Sequence, residues 1–248
     1  MKVSVQKTEF REFLSPISRI SEGTTNSCAL TIKKDQIFTV AYTPDIVCIY
    51  YAKLTIPEIP DFIEQLTIHI ADVKKIITAL ATIDEEELVL EINEQYISYS
   101  SKSMKFKCYL LDKAVATVQK INAALLDEIQ VDTEFIIDNA AFSRIIKGCL
   151  FSENEGKIYF YTKDGVVYVD IDDKTAHHNV NNITFEVSGE FQGSLLNATT
   201  PLSIESFKII GSLKNIVVTC VNIDKGIYIF KYKNDNIETK YILRGLKS

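Results

Sequence analysis

Apolar residues recur along the chain with two distinct periods. At helical spacing, Phe10, Phe13, Leu14 and Ile17 form a stripe, and Phe142, Ile145, Ile146 and Cys149 repeat that stripe 132 residues later. A second helical set, Ile76, Ile77 and Leu80, recurs as Ile209, Ile210 and Leu213, displaced by 133. Between the helical stretches the pattern switches to strict alternation, with Ile, Val, Tyr and Thr dominating short runs bounded by turn residues. Each half of the chain therefore reads strand, helix, several strands, helix, three strands.

In the first half the predicted strands are Lys2–Gln6, Ala29–Lys33, Gln36–Tyr42, Ile46–Ile56, Leu66–Ile70, Glu87–Ile92, Tyr96–Ser100 and Met104–Leu111. The predicted helices are Lys7–Glu22, which Pro16 is expected to kink, and Ala71–Thr82. Residues 112–132 contain neither Gly nor Pro and lose the alternation, which reads as an ordered connector. In the second half, strand Glu134–Ile137 leads into helix Asn139–Phe151 behind a cap at Asp138 or Asn139. Lys157–Thr162 and Val166–Asp172 form a hairpin around Asp164-Gly165. Ile183–Val187 and a segment near Gly193–Leu196 precede helix Leu202–Leu213, and Asn215–Val221, Gly226–Tyr232 and Ile237–Leu243 close the pattern. The expected fold is α+β, with domains at 1–111 and 133–248 joined by the connector.

Composition narrows the class. At 248 residues, 46% hydrophobic and 24% charged, the chain reads as a folded soluble protein of one large or two ordinary domains. No apolar run reaches membrane-span length, and the N-terminus lacks the apolar stretch of a signal peptide. The five cysteines show no CxxC spacing and sit in strand-like stretches, which points to reduced, buried thiols inside a cell. The net charge of −6 argues against a surface that binds nucleic acid all over, and leaves room for a local basic face.

Signatures of catalysis are missing: there is no Gly-rich phosphate loop, no GxSxG and no HExxH. The three histidines are His69 and the adjacent His177-His178, and neighbours on an extended chain point apart, so a polar loop accounts for the pair better than a metal site. Asp170, Asp172 and Asp173, and the run Asp84 to Glu87, read as solvated strand ends and turns. No enzyme, metal or cofactor is expected.

The outer faces of the helices carry the useful signal. Opposite the apolar stripes lie Arg19, with Arg11 on the flank and Glu12 as a contrary charge; then Lys75, with Lys74 on the flank; then Arg144 and Lys147; and finally Lys208. At the 133-residue displacement Lys75 and Lys208 are equivalent. A solvated amphipathic helix needs a charged face in any case. Four of one sign in a net acidic chain point instead to phosphate contacts with duplex DNA, independent of sequence.

Two tandem domains of this kind, joined by a long connector, resemble the DNA polymerase sliding clamps, most closely the two-domain forms: proliferating cell nuclear antigen and the clamps of tailed bacteriophages. The residue-level match is best where Gly226–Tyr232 (GIYIFKY) and Lys240–Gly245 (KYILRG) are similar to the closing hairpin of nuclear-antigen clamps, which ends Lys-Tyr-Tyr-Leu-Ala-Pro. The resemblance implies a homotrimeric ring lined by helices, tethering DNA polymerase and loaded by a clamp loader, with Arg11, Arg19, Lys74, Lys75, Arg144, Lys147 and Lys208 facing DNA. It also implies a partner-peptide pocket, matched here by Tyr42, Val47, Val118, Ile121, Leu125, Ile227, Ile242 and Leu243, against which stands ordinary core, or a connector packed on its own domain, the two readings balancing at Val47 and Ile227 until an exposed patch decides. Arg244-Gly245 replaces the family's Ala-Pro, which bears on whether a partner peptide adds a strand there. Subunit contacts by position would use Met104–Leu111 and Lys157–Asp172 or nearby strands. The small size and Ile/Lys/Asn-rich composition fit a viral clamp, placed in the cytoplasm of a bacterial host if phage-encoded or in the nucleus if eukaryotic. The competing readings are a monomeric clamp-fold processivity or transcription-coactivator subunit, and a β-rich viral structural protein.

Overall fold

The computed structural model describes residues 1–20, 27–60, 62, 64–113, 126, 128–151, 156–172, 182–211 and 216–246. Contacts divide the chain into two compact units. Unit 1 comprises Met1–Ile46, Tyr50–Ala123 and Lys233–Thr239, and unit 2 comprises Val47–Ile49, Ala124–Tyr232 and Lys240–Ser248.

Unit 1 contains β1 (Lys2–Gln6), α1 (Lys7–Ile20), β2 (Cys28–Ile32), β3 (Gln36–Tyr42), β4 (Cys48–Thr55) from Tyr50 onward, β5 (Leu66–Ile70), α2 (Val73–Ala81), β6 (Glu87–Ile92), β7 (Tyr96–Ser100) and β8 (Lys105–Tyr109). One antiparallel sheet has the order β1-β6-β7-β8, and a second run has the order β4-β3-β2-β5. Alternation places Val3, Val5, Leu88, Leu90, Ile97 and Tyr99 on the inner face of the first sheet, where they bury with the stripe of α1. That stripe is Phe10, Phe13, Leu14, Pro16, Ile17 and Ile20. Pro16 sits inside the helix, and hydroxyls on either side of it bond back to the backbone, Ser15 Oγ to Arg11 O (2.6 Å) and Ser18 Oγ to Ser15 O (2.8 Å). Glu86 caps the helix start by accepting from Thr8 N (2.7 Å). The Thr8 side chain and then its backbone N–H, helped by nearby Lys7, hold the Glu86 carboxyl below its usual range.

Unit 2 contains β9 (Thr133–Ile137), α3 (Asn139–Phe151), β10 (Lys157–Lys163), β11 (Val166–Asp172), β12 (Ile183–Ser188), β13 (Phe191–Gly193), β14 (Leu202–Ser203), α4 (Ile204–Ile210), β15 (Val217–Asn222), β16 (Ile227–Lys233) up to Tyr232 and β17 (Ile237–Arg244) from Lys240. Its sheets have the orders β12-β11-β10-β14 and β13-β9-β15-β16-β17. Asp164 (φ 52°) and Gly165 (φ 81°) make the expected tight turn between β10 and β11. A chain of aromatic contacts ties helices to sheets: Phe142–Phe207 (5.4 Å between ring centres), Phe207–Phe230 (5.5 Å), Phe135–Phe160 (5.7 Å) and Phe160–Tyr228 (5.8 Å).

Several sequence expectations are corrected. Ile46 does not begin a strand: it adopts φ 57° in a turn closed by its N–H on Thr43 O (2.8 Å), and β4 starts at Cys48. The expected helix Leu202–Leu213 is shorter, because Leu202 pairs with Ile158 as strand, Ser203 caps the helix, and Gly211 at φ 67° ends it. Leu213, His177-His178 and Asp173 lie outside the described residues.

The internal repeat also changes register. The displacement of 132 holds for the first helix pair, with Phe10/Phe142, Phe13/Ile145 and Ile17/Cys149 all buried. The second pair is related by 131, not 133: the caps Asp72 and Ser203 correspond, as do buried Val73/Ile204 and Ile76/Phe207. Lys75 is consequently not the counterpart of Lys208; it corresponds to the buried Ser206.

Finally, β8 is an outer strand of its sheet, with β1 at the other side, but Lys157–Asp172 forms inner strands, flanked by β12 and β14. Among the described residues the outer strands of that sheet are the six-residue β12 and the two-residue β14.

Candidate nucleic-acid interface

In unit 1, α1 and α2 pack against each other and turn their outer faces to solvent. Arg19, Lys74 and Lys75 are exposed there. Asp72 accepts the backbone N–H of Lys74 (3.0 Å) as the N-cap of α2, and its other oxygen lies 4.0 Å from Lys75 Nζ. With the lysine side chain 78% exposed, that ion pair holds Lys75 only weakly. Arg11 differs from the others: it is half-buried, and its Nε is buried without a hydrogen-bond partner among the described residues.

In unit 2, α3 and α4 also pack together, through Phe142 and Phe207. Lys147 and Lys208 are exposed. Lys208 stands close enough to the α3–α4 seam to act on the Cys149 thiol, which burial pushes up to about 11 while the lysine opposes the rise. Arg144 is exposed but engaged: its Nη2 donates to Glu186 O (3.2 Å), and its guanidinium lies 5.7 Å from the centre of the Phe185 ring.

Charge is distributed unevenly between helices and the rest of the chain. The four helices α1 to α4, counted among the described residues, contain eight Lys or Arg against three Glu, a net +5. The chain as a whole is −6, so everything outside the helices sums to −11. Glu9 is tied to Asn236 Nδ2 (2.7 Å) and Lys7 to Ile83 O (2.9 Å) and Glu86, which leaves seven cations and the exposed acids Glu12 and Glu205 on these elements. Such a face can hold an array of phosphates while the rest of the surface repels them.

The residues predicted for a partner pocket separate. Ile242 belongs with Cys220 and Ile229 to an apolar cluster on unit 2, flanked by Ile49, Leu126, Ile129, Val218 and Ile227. Leu243, on the opposite side of β17, is fully buried and reaches no surface. Tyr42 and Val47 are half-buried, and the Val47 carbonyl accepts from Arg244 N (2.9 Å). Val118, Ile121 and Leu125 lie outside the described residues. Sequence reasoning missed Cys220, Ile229, Leu126 and Ile129. The alternation Val218/Cys220 and Ile227/Ile229 carried that signal on the strands.

The residues after β17 are committed within their own unit. Gly245 N–H donates to Gly226 O and Leu246 N–H to Pro201 O, both at 2.7 Å. A Cβ at position 245 would come 2.4 Å from Thr200 Cγ2, which accounts for glycine there. These amides are not available to an added strand.

Among the described residues no group of three or more His, Cys, Asp or Glu side chains could hold a metal, and no helix is long and apolar enough to cross a membrane.

No family model and no curated protein matches the sequence. Solved structures match over the whole chain. A. fulgidus PCNA, in a structure with the C-terminal region of FEN-1 bound, is 14% identical, with 100% of this chain and 98% of that chain covered at a TM-score of 0.76. PCNA from Entamoeba histolytica is 14% identical, with 99% and 98% covered at 0.73. The DNA polymerase sliding clamp from Bacillus subtilis is 11% identical, with 100% of this chain and 64% of that chain covered at 0.77. The likeness is one of fold: this chain has the α+β fold of the two-domain DNA sliding clamps.

Proposed function

We propose that the chain is a non-enzymatic processivity factor, a sliding clamp that closes as a homotrimeric ring around duplex DNA. In this reading Arg19, Lys74, Lys75, Lys147 and Lys208 meet phosphates directly, with Arg11 and Arg144 at the margin of the set. Contacts of this kind carry no base readout and are individually weak, so they permit sliding, while linkage of ring and duplex prevents loss. The ring would be placed on DNA by a clamp loader and would tether a DNA polymerase inside the cell that replicates the DNA. Partner peptides would dock on unit 2 at half-buried Val47 and at half-buried Ile227, which overlies the buried pair Ile229 and Ile242, with the connector residues Val118, Ile121 and Leu125 as further candidates. The domain division at 1–111 and 133–248 belongs to the same proposal.

The observation that carries the reading is the net +5 on the helices of a −6 chain having the clamp fold. The deciding experiment compares retention on nicked circular and linear duplexes of one sequence, using chain loaded by its own replication extract. We expect retention for minutes on the circle and loss within seconds from free ends. Equal retention on both would sink the ring. Combined reversal of Lys75, Lys147 and Lys208 to Glu should shorten retention on the circle at least tenfold.

A further inference from the structure

We propose that the contact between copies is keyed by charge: Lys105 and Lys107 on the β8 edge of one copy seat against Glu186 and Glu190 beside the β12 edge of the next. This rests on the ring reading above and adds what selects its contacts.

Both edges are open among the described residues, since β8 pairs only with β7 and β12 only with β11. An open edge offers unpaired backbone groups to any similar strand, so something must choose the partner. On β8, Lys105, Lys107 and Tyr109 are exposed on one face, and Phe106 and Cys108 are half-buried on the other. Lys107 Nζ stands 3.8 Å from the centre of the Tyr96 ring and 5.1 Å from that of Tyr109, which holds the ammonium on the outward face. On β12, Thr184 and Glu186 are exposed on one face, and Ile183 and Phe185 are half-buried on the other. Beside this edge lies an open groove of about 770 Å³ that Glu186 and Glu190 line, and its one guanidinium, Arg144, is bonded to the Glu186 carbonyl. Among the described residues, none of the two lysines and two glutamates is in an ion pair.

The complementarity is double. In both units the half-buried face of the edge strand is the one that packs towards the helices, α2 behind β8 and α3 behind β12. Joining the two edges in one sheet therefore sets lysines beside glutamates on one face and Phe106 and Cys108 beside Ile183 and Phe185 on the other. Pairing of either edge with its own copy fails on charge. Two β8 edges would oppose lysine to lysine, and two β12 edges glutamate to glutamate, each destabilising across strands. The edges thus accept each other and reject themselves, which yields head-to-tail closure rather than a two-fold dimer.

The test is the native mass of the full chain. The wild type should be three times the 28.0 kDa chain at low salt and should dissociate at about tenfold lower dilution in 0.5 M NaCl, where exposed charges are screened. Lys105→Glu with Lys107→Glu should be monomeric, and so should Glu186→Lys with Glu190→Lys. All four substitutions in one chain should restore the trimer, and that swapped chain should not mix with wild type. Thermal melts within a few degrees of wild type confirm that the variants are folded. If the single-edge reversals assemble like wild type, or the swapped chain stays monomeric while folded, charge keying is wrong and the ring reading stands. A wild type that is monomeric at all salt and protein concentrations overturns both.

Discussion

Gly193 and Gly165 both hold positive φ, at 100° and 81°, yet their surroundings differ. A Cβ on Gly193 would lie 2.0 Å from the Asp132 carbonyl oxygen, whereas a Cβ on Gly165 meets nothing within 4 Å. Backbone strain alone costs roughly 1 kcal/mol at such a position, and a backbone clash adds to it. We expect Gly165→Ala to lower stability by about 1 kcal/mol and Gly193→Ala by about 3 kcal/mol or more, read from urea midpoints; equal losses would contradict the clash. His69 sets a pH dependence of defined sign. Its Nδ1 is buried with no partner among the described residues, and burial, then the charge of Lys113, lowers its pKa. The folded state thus disfavours the imidazolium. Stability from this residue is present above the unfolded value near pH 6.5 and is lost as pH falls through the lowered folded value. His69→Gln should flatten the fall in melting temperature between pH 7 and pH 5, and an unchanged slope would remove His69 from the account.

At the scale of elements, α4 has only seven residues, too few to persist alone. It is held by Phe207, which contacts Phe142 and Phe230, and by Ser203, whose Oγ accepts from Ser206 N (3.0 Å). Asp72 does the same for α2 and also brings a negative charge to within 4.0 Å of Lys75. Its two roles can be separated, because asparagine caps as well as aspartate does. Asp72→Ala should cost about 1 kcal/mol, while Asp72→Asn should leave the melting temperature alone and lengthen retention on circular DNA. Loss of stability in the Asn variant would show the charge, not the cap, to be what α2 needs. The caps also explain how far the repeat was legible. Around α1 and α3 the stripe opens with a phenylalanine in both copies, which admits one register. Around α2 and α4 runs of Ile and Leu match at several offsets, and only the caps fix the displacement at 131. Alternation likewise told which strand faces are buried but not which strands are outermost. That depends on sheet order, so β12 was overshadowed by β10 and β11. Helical periodicity sufficed to put the cations on outer faces; it could not show Arg144 engaged by Phe185 and Glu186, about 40 residues further along the chain.

For the molecule as a whole, the separation of +5 on the helices from −11 elsewhere governs how binding should respond to salt. Each phosphate neutralised contributes about −0.9 to the slope of log affinity against log salt, whatever the DNA sequence. The proposed contacts do not all contribute alike. Lys147 and Lys208 are exposed, and among the described residues no bond holds either ammonium back, so replacing either with Gln should reduce the slope by close to one contact per subunit. Arg144 must give up the Glu186 carbonyl and the Phe185 ring before it can reach a phosphate, so Arg144→Gln should change the slope by less. Arg11→Gln should act mainly on stability, since part of its guanidinium is already buried. The measurement is dissociation from nicked circular duplex across a range of salt, repeated on two unrelated sequences. Slopes that differ between the sequences would mean that bases are being read. A loss at Arg144 as large as at Lys147 would mean that its guanidinium leaves β12 on meeting DNA, and the β12 edge would then be altered whenever DNA is bound.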